Sequence, residues 1–285
     1  MNLRLGGPVF GDCSTPESWI AQLREHGYRA AYCPLPIEAL EDQVSEYVDA
    51  AAKADIVVAE VGAWSNPLSS NPTVRLDALR MCKSALHLAD RIGACCCVNI
   101  SGSRGTQWDG PHPDNFTTET FDMIVETVRD IIDSVEPART YYTLEPLPWC
   151  YPDSIESFTR LIHAIDRERF GVHLDPVNMI TSPHLFLNNG AFLRECFAVL
   201  GPYIRSCHAK DITFSPKLTV HLDEARPGLG GLDYHTFLRE LSRLKRRVPL
   251  MLEHLYSAEE YHLAAEHIRS VATEAGVNLA GDPGE

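Results

Sequence analysis

Short β-branched or aromatic runs alternate with longer amphipathic ones along the whole chain, eight times over, and no linker or shift of composition interrupts them. The strand-like runs cover 3–6, 30–33, 55–60, 93–100, 140–145, 170–175, 203–208 and 248–253. The helix-like runs cover 15–26, 37–53, 74–91, 118–134, 155–165, 185–200, 234–244 and 258–275. Punctuation agrees with this reading. Thr15-Pro16-Glu17 offers an N-cap with proline in the first turn, and Gly27 and Gly276 follow helix ends. Parallel strands need a crossover helix between them, so the economical fold is α/β, one closed (β/α)8 barrel over 1–285, with 278–285 a flexible tail. A length of 285 residues suits one barrel domain. A doubly wound open sheet is the alternative, but Gly6-Gly7-Pro8 after the first strand is not a GxGxxG phosphate loop.

Composition removes several function classes. Thirty-nine acidic against 25 basic residues give a formal charge of −14, which argues against nucleic acid or an acidic membrane surface as partner. No apolar stretch approaches membrane-helix length, and the start Met1-Asn-Leu-Arg-Leu-Gly-Gly lacks the apolar core of a secretory signal. Nine cysteines, three of them consecutive and none in a CxxC pair, read as small buried hydrophobes in a reducing cytoplasm.

Four of the strand-like runs end on a metal-ligating residue: Glu145, Asp175, His208 and Glu253. They close strands five to eight, so a barrel would set them side by side at its C-terminal mouth, where active sites of this fold lie. Any one carboxylate after a strand more commonly caps a helix or pairs with a cation. Four on successive strands at one level point to a single divalent cation, Mn²⁺ or Mg²⁺ first, with Co²⁺ or Zn²⁺ also compatible. Period-two alternation puts His173 on the inner face with Asp175, and Ser206 and Lys210 with His208; it turns His254 away. His173 reads equally as a partner of a metal-bound carboxylate or as a core histidine. Lys210 reads as a substrate contact or as a partner of Asp211. Loop residues 101–118 and the long connection to Gly231 are candidates for function. Trp108 and His112 in the first, with Trp64 and Trp149 in neighbouring loops, offer aromatic or polar faces to a sugar, or pack the loops. Glu60 and Asn99, ending strands three and four, are candidates for contact with hydroxyls. A cation bridging two substrate oxygens, with carboxylates on either side, suits proton abstraction next to a carbonyl.

Leu144-Glu145-Pro146, His173-Leu174-Asp175-Pro176, His208-Ala209-Lys210-Asp211, the stretch Pro227-Gly-Leu-Gly-Gly-Leu-Asp-Tyr234 and Leu252-Glu253-His254 together resemble the sugar phosphate isomerase/epimerase superfamily, the xylose-isomerase-like TIM barrels. The resemblance runs over nearly the whole chain. It implies one Mn²⁺ or Mg²⁺ on Glu145, Asp175, His208 and Glu253, with Glu145 and Glu253 also exchanging the proton, and Arg226 reaching substrate. The expected activity is that of an isomerase or epimerase on a sugar, keto-sugar or polyol. The alternative is a lyase or dehydratase that expels a β-substituent from a keto-sugar, inosose or 3-keto-glycoside. Tyr151 and Asn178 stand where ketose 3-epimerases carry a second glutamate and a histidine, which points away from a standard free-ketose 3-epimerase. The expected partner is a small carbohydrate or polyol, with a homodimer or homotetramer as the assembly.

Overall fold

The computed structural model describes residues 2–281. Its strands are β1 (Arg4–Gly6), β2 (Ala30–Tyr32), β3 (Val57–Gly62), β4 (Cys96–Asn99), β5 (Tyr142–Leu144), β6 (Phe170–Leu174), β7 (Ile204–Ala209), β8 (Asp211–Ser215), β9 (His221–Ala225) and β10 (Pro249–Leu252). Its helices are α1 (Pro16–Glu25), α2 (Glu41–Ala54), α3 (Pro72–Ile92), α4 (Thr118–Val135), α5 (Ile155–Ile165), the short α6 (Pro176–Met179) and α7 (Pro183–Leu187), then α8 (Asn189–Leu200), α9 (Tyr234–Ser242) and α10 (Ala258–Ala275). Eight strands close a parallel barrel in the order β1-β10-β7-β6-β5-β4-β3-β2, with a long helix after each, so the chain is a single-domain (β/α)8 barrel. Side-chain oxygens of Thr15, Asn71, Ser154 and Ser257 cap α1, α3, α5 and α10. Left-handed Gly93 and Gly276 end α3 and α10.

The core lies between sheet and helices, where Leu86, Leu88, Ile131, Phe158, Leu161, Phe237 and Ile268 are fully buried. Inside the barrel, Ala30, Ala59 and Met251 form a small separate cluster. This leaves the polar layer above it to the strands that carry the site. Among the described residues, no helix is long and apolar enough to cross a membrane.

Four expectations need correction. The second helix starts at Glu41 rather than at 37, because the Gln43 side chain accepts the Leu40 N–H and fixes the start there. The run 185–200 is broken at Asn188, and the Asn189 amide donates instead to Phe186 and Gly231 carbonyls, tying the next helix to the glycine-rich loop. The connection before that loop is not structureless: β8 and β9 pair as an antiparallel arm. The C-terminal tail is held further than expected. Leu3 N–H donates to Asn278, Ala280 N–H donates to Leu3, and Leu279 is buried. The rest of the expected tail, 282–285, lies outside the described residues.

Candidate active site

The register β5-β6-β7-β10 brings Glu145, Asp175, His208 and Glu253 together at the C-terminal mouth, with their ligand atoms within 4.8 Å of one another. His208 is the hub. Its Nδ1 lies 2.8 Å from Glu253 Oε1, 3.2 Å from Glu145 Oε1 and 3.8 Å from Asp175 Oδ2. Lys210, just past β7, turns inward, with Nζ 2.6 Å from Glu253 Oε1 and 2.8 Å from Asp175 Oδ2. Both of those oxygens are buried and lack an aligned hydrogen bond. Burial pushes the Lys210 ammonium pKa down, but Asp175, Glu253 and Glu145 outweigh it and hold it well above the usual lysine value. Burial likewise opposes the charged form of His208, and Glu253, Glu145 and Glu60 reverse that effect. Burial pushes the Glu253 carboxyl up, whereas His208 and Lys210 hold it well below the carboxylate range. Three carboxylates and one imidazole converging on one point, with the two buried oxygens met only by Lys210 and His208, fit a divalent cation of hard, oxygen-preferring type.

A cavity of about 580 Å³ opens above these groups. Glu145, Glu253 and Lys210 form part of its floor, and Trp64, Trp108, Trp149, Tyr32 and Tyr261 form much of its wall. Trp149 is held by its indole N–H, which donates to the Asp109 carbonyl at 2.6 Å. Asn178, on α6, donates to Glu145 Oε1 and to the Pro146 carbonyl, both at 3.1 Å, and so fixes that carboxylate.

Four of the candidate site residues lie away from this cavity. Glu60 is 1% exposed beneath the quartet, bound to His173 Nε2 at 2.8 Å and to Ser206, with Oε2 3.4 Å from His208 Nε2. β3 continues to Gly62, which leaves Glu60 two residues below the mouth. His173 is buried beside it and does not line this cavity. Asn99 faces outward, donating to Cys82 on α3 and accepting the Ser65 N–H, so it anchors the loop after β3. His112 caps the turn Pro113–Phe116 by accepting the Asp114 N–H. Arg226 lines an adjoining groove with Tyr256, and that groove shares Glu224 and His254 with the main cavity. His254 therefore belongs to the rim rather than pointing away. It adopts φ 56° and lies 3.3 Å from Glu224 Oε2. Asp211 does not pair with Lys210; its carboxylate accepts four backbone N–H groups instead.

Tyr32, Tyr261 and Glu224 join the cavity although the sequence reading passed over them. Tyr32 ends β2 facing inward, so alternation alone could have found it; its hydroxyl donates to the Leu252 carbonyl at 3.1 Å. Glu224 was hidden by the unrecognised arm, which brings its Oε2 to 3.7 Å from Lys210 Nζ.

The family described as xylose isomerase-like TIM barrel matches residues 20–272. No curated protein matches the chain by sequence. Solved structures of the same fold include a xylose isomerase-like TIM barrel protein from Mycobacterium smegmatis in complex with magnesium, at 17% identity and TM-score 0.65, covering 91% of this chain and 90% of that one. The probable 3-DHS dehydratase AsbF from Bacillus anthracis, involved in petrobactin synthesis, shares 15% identity at TM-score 0.69 over 95% of this chain and 99% of its own. The 3-keto-D-glucoside 4-epimerase YcjR of E. coli shares 14% identity at TM-score 0.64 over 95% of this chain and 100% of its own.

Proposed function

Since the chain belongs to the xylose isomerase-like TIM barrels, we propose that it is a cytoplasmic, divalent-metal-dependent epimerase or isomerase that moves a proton on the carbon beside the carbonyl of a keto-sugar. One observation carries this reading: Glu145 and Glu253 both reach one aromatic-walled cavity while both hold His208. Glu145, Asp175, His208 and Glu253 would hold the cation, Mn²⁺ or Mg²⁺, which when bound would supply a Lewis acid for negative charge on substrate oxygens. Glu253, the more exposed of the pair, takes the proton; Glu145, fixed by Asn178, returns one from the other side. Trp64, Trp108 and Trp149 cover the apolar faces of the sugar and exclude water. A cavity of this size, joined to a second groove, suits a keto-glycoside better than a free ketose. The E. coli protein of the same fold, a 3-keto-D-glucoside 4-epimerase, agrees with that choice.

A second reading, β-elimination, is favoured by Lys210, whose buried ammonium can protonate a departing oxygen. The test is to incubate the Mn²⁺-loaded enzyme with 3-keto-glucosides in deuterated water, and with substrate deuterated beside the carbonyl. Epimer formation with label exchange or a primary isotope effect supports proton transfer, whereas an unsaturated product assigns the lyase. Turnover with neither label signal overturns both. Glu253→Gln, nearly isosteric, should lower kcat by roughly 10²–10⁴-fold with a much smaller change in KM.

A further inference from the structure

At the opposite, N-terminal mouth of the barrel, three arginines converge on one tyrosine. Tyr141 precedes β5, Arg169 precedes β6, Arg205 lies in β7 and Arg246 precedes β10, so four neighbouring strands present them side by side. The guanidinium carbons of Arg205, Arg169 and Arg246 lie 3.8, 5.2 and 5.7 Å from the Tyr141 ring centroid. Room for Arg205 comes from Gly171, where a Cβ would sit 2.8 Å from its Cγ.

Beyond the Tyr141 hydroxyl, which Arg246 and Arg205 approach, nothing among the described residues answers this charge. Among the described residues none of the three makes an ion pair with a carboxylate; besides Tyr141, Arg205 reaches the carbonyls of Pro202 and Ile204, and Arg169 that of Ala138. Arg205 is 7% exposed, and its Nε has no partner. Arg4, 5% exposed on the adjacent strand β1, also has an unpartnered Nε, though its terminal nitrogens hold Asp55. Cys95, close to Arg4, Arg246 and Arg205, brings no negative charge, since burial pushes its thiol up to about 12. Burial, then Arg246, pull Arg205 down to about 10, so the cluster strains its own protonation. In a chain of net charge −14, such a concentration of cations without carboxylates is a local reversal.

We propose that this mouth binds a phosphate dianion, either inorganic phosphate or the phosphate group of a small ester, gathered by Arg205, Arg246 and Arg169 over the Tyr141 ring. Planar guanidinium groups match a tetrahedral oxyanion's edges with paired N–H donors, and several of them favour two negative charges over one. The position at the N-terminal end excludes a part in the chemistry at Glu145 and Glu253, so the anion acts as a stabilising or regulatory ligand.

Calorimetric titration of the metal-loaded enzyme with inorganic phosphate, and separately with a hexose phosphate, at ionic strength fixed with chloride, tests this. Saturable one-site binding is expected. Arg246→Gln, at an exposed position where the change should leave the melting temperature in chloride unaltered, should weaken it by roughly tenfold; Arg169→Gln should weaken it as well. Equal affinity for both probes identifies free phosphate as the ligand, and tighter binding of the ester identifies the ester; either supports the site. Unchanged affinity in Arg246→Gln and Arg169→Gln, or no saturable binding at all, overturns it. So does binding that disappears on metal removal yet survives both substitutions, because the anion then sits on the cation.

Discussion

Glu60 is placed to act through His208 rather than on a substrate. Its Oε2 faces His208 Nε2 at 3.4 Å, on the side of the ring opposite the Nδ1 that meets Glu253 and Glu145. Carboxylates behind a ligating imidazole fix its tautomer and raise its basicity. Ser206 and His173 in turn hold Glu60 Oε1. Burial pushes the Glu60 carboxyl up, but His173 and His208 hold it well below the carboxylate range, so it stays charged. Glu60→Gln should therefore reduce Mn²⁺ affinity by roughly 10–100-fold, measured by titration calorimetry on chelated protein. An unchanged dissociation constant would confine Glu60 to a packing role. At this scale the sequence was readable where strand phase and strand end were both clear. Glu145, Asp175, His208 and Glu253 each close a strand-like run and face inward. Asn99 has the opposite phase, sharing the outer face with Cys97 beside Cys82, and Glu60 lies below the true end of its strand. Glu60 could not be placed without knowing where its strand stops, nor Asn99 without its strand's phase.

The element most dependent on a single side chain is the connection from β7 to α9. Asp211 is 2% exposed; its Oδ1 accepts the Ile212 and Leu232 N–H groups at 2.9 Å, and its Oδ2 those of Gly228 and Gly230 at 3.0 Å. A Cβ at Gly230 would sit 2.3 Å from Oδ1, so glycine is what lets the loop come this close. Asp211→Ala leaves those donors without acceptors and should cost about 3–5 kcal/mol, with Asp211→Asn, which keeps one acceptor oxygen, costing less. Denaturant unfolding gives the energy, and limited proteolysis between β8 and α9 should show the loop released. If Asp211→Ala unfolds at the same denaturant concentration as the parent, the carboxylate does not hold the loop. The arm also carries Glu224 and lies next to Arg226, so substrate affinity should fall with it. Sequence reading found the long helices because their caps and periodicity coincide, as at Ser154 to Ile165 and Ser257 to Ala275. It missed the β8–β9 pair, whose strands are half exposed and whose first residue, Asp211, is tied to backbone N–H groups well beyond the arm, at Gly228, Gly230 and Leu232.

On the scale of the whole molecule, the quartet joins β5, β6, β7 and β10, four neighbouring staves that make up half of the eight-stranded wall. Each ligand is buried or nearly so, and Glu224 adds a further carboxylate 3.7 Å from the only lysine among them. Without a cation, like charges face one another across the mouth of the barrel, opposed by Lys210 and His208 and, at the rim, by His254. A bound divalent ion would both relieve that repulsion and tie the four strands together. Linkage makes the effect measurable: a ligand present at 1,000 times its dissociation constant stabilises the native state by about 4 kcal/mol. For a domain of this size that corresponds to a rise in melting temperature of roughly 8 °C. Saturating Mn²⁺ should produce a shift of that order over protein treated with chelator, growing with metal concentration. Asp175→Asn should shrink the shift by weakening affinity, while the melting temperature in chelator changes far less, because the variant also removes one of the opposed charges. Identical melting curves with chelator and with excess Mn²⁺ or Mg²⁺ would remove the metal centre from the account, and the proton-transfer reading with it. The phosphate site at the other mouth would stand, since it shares no residue with the quartet.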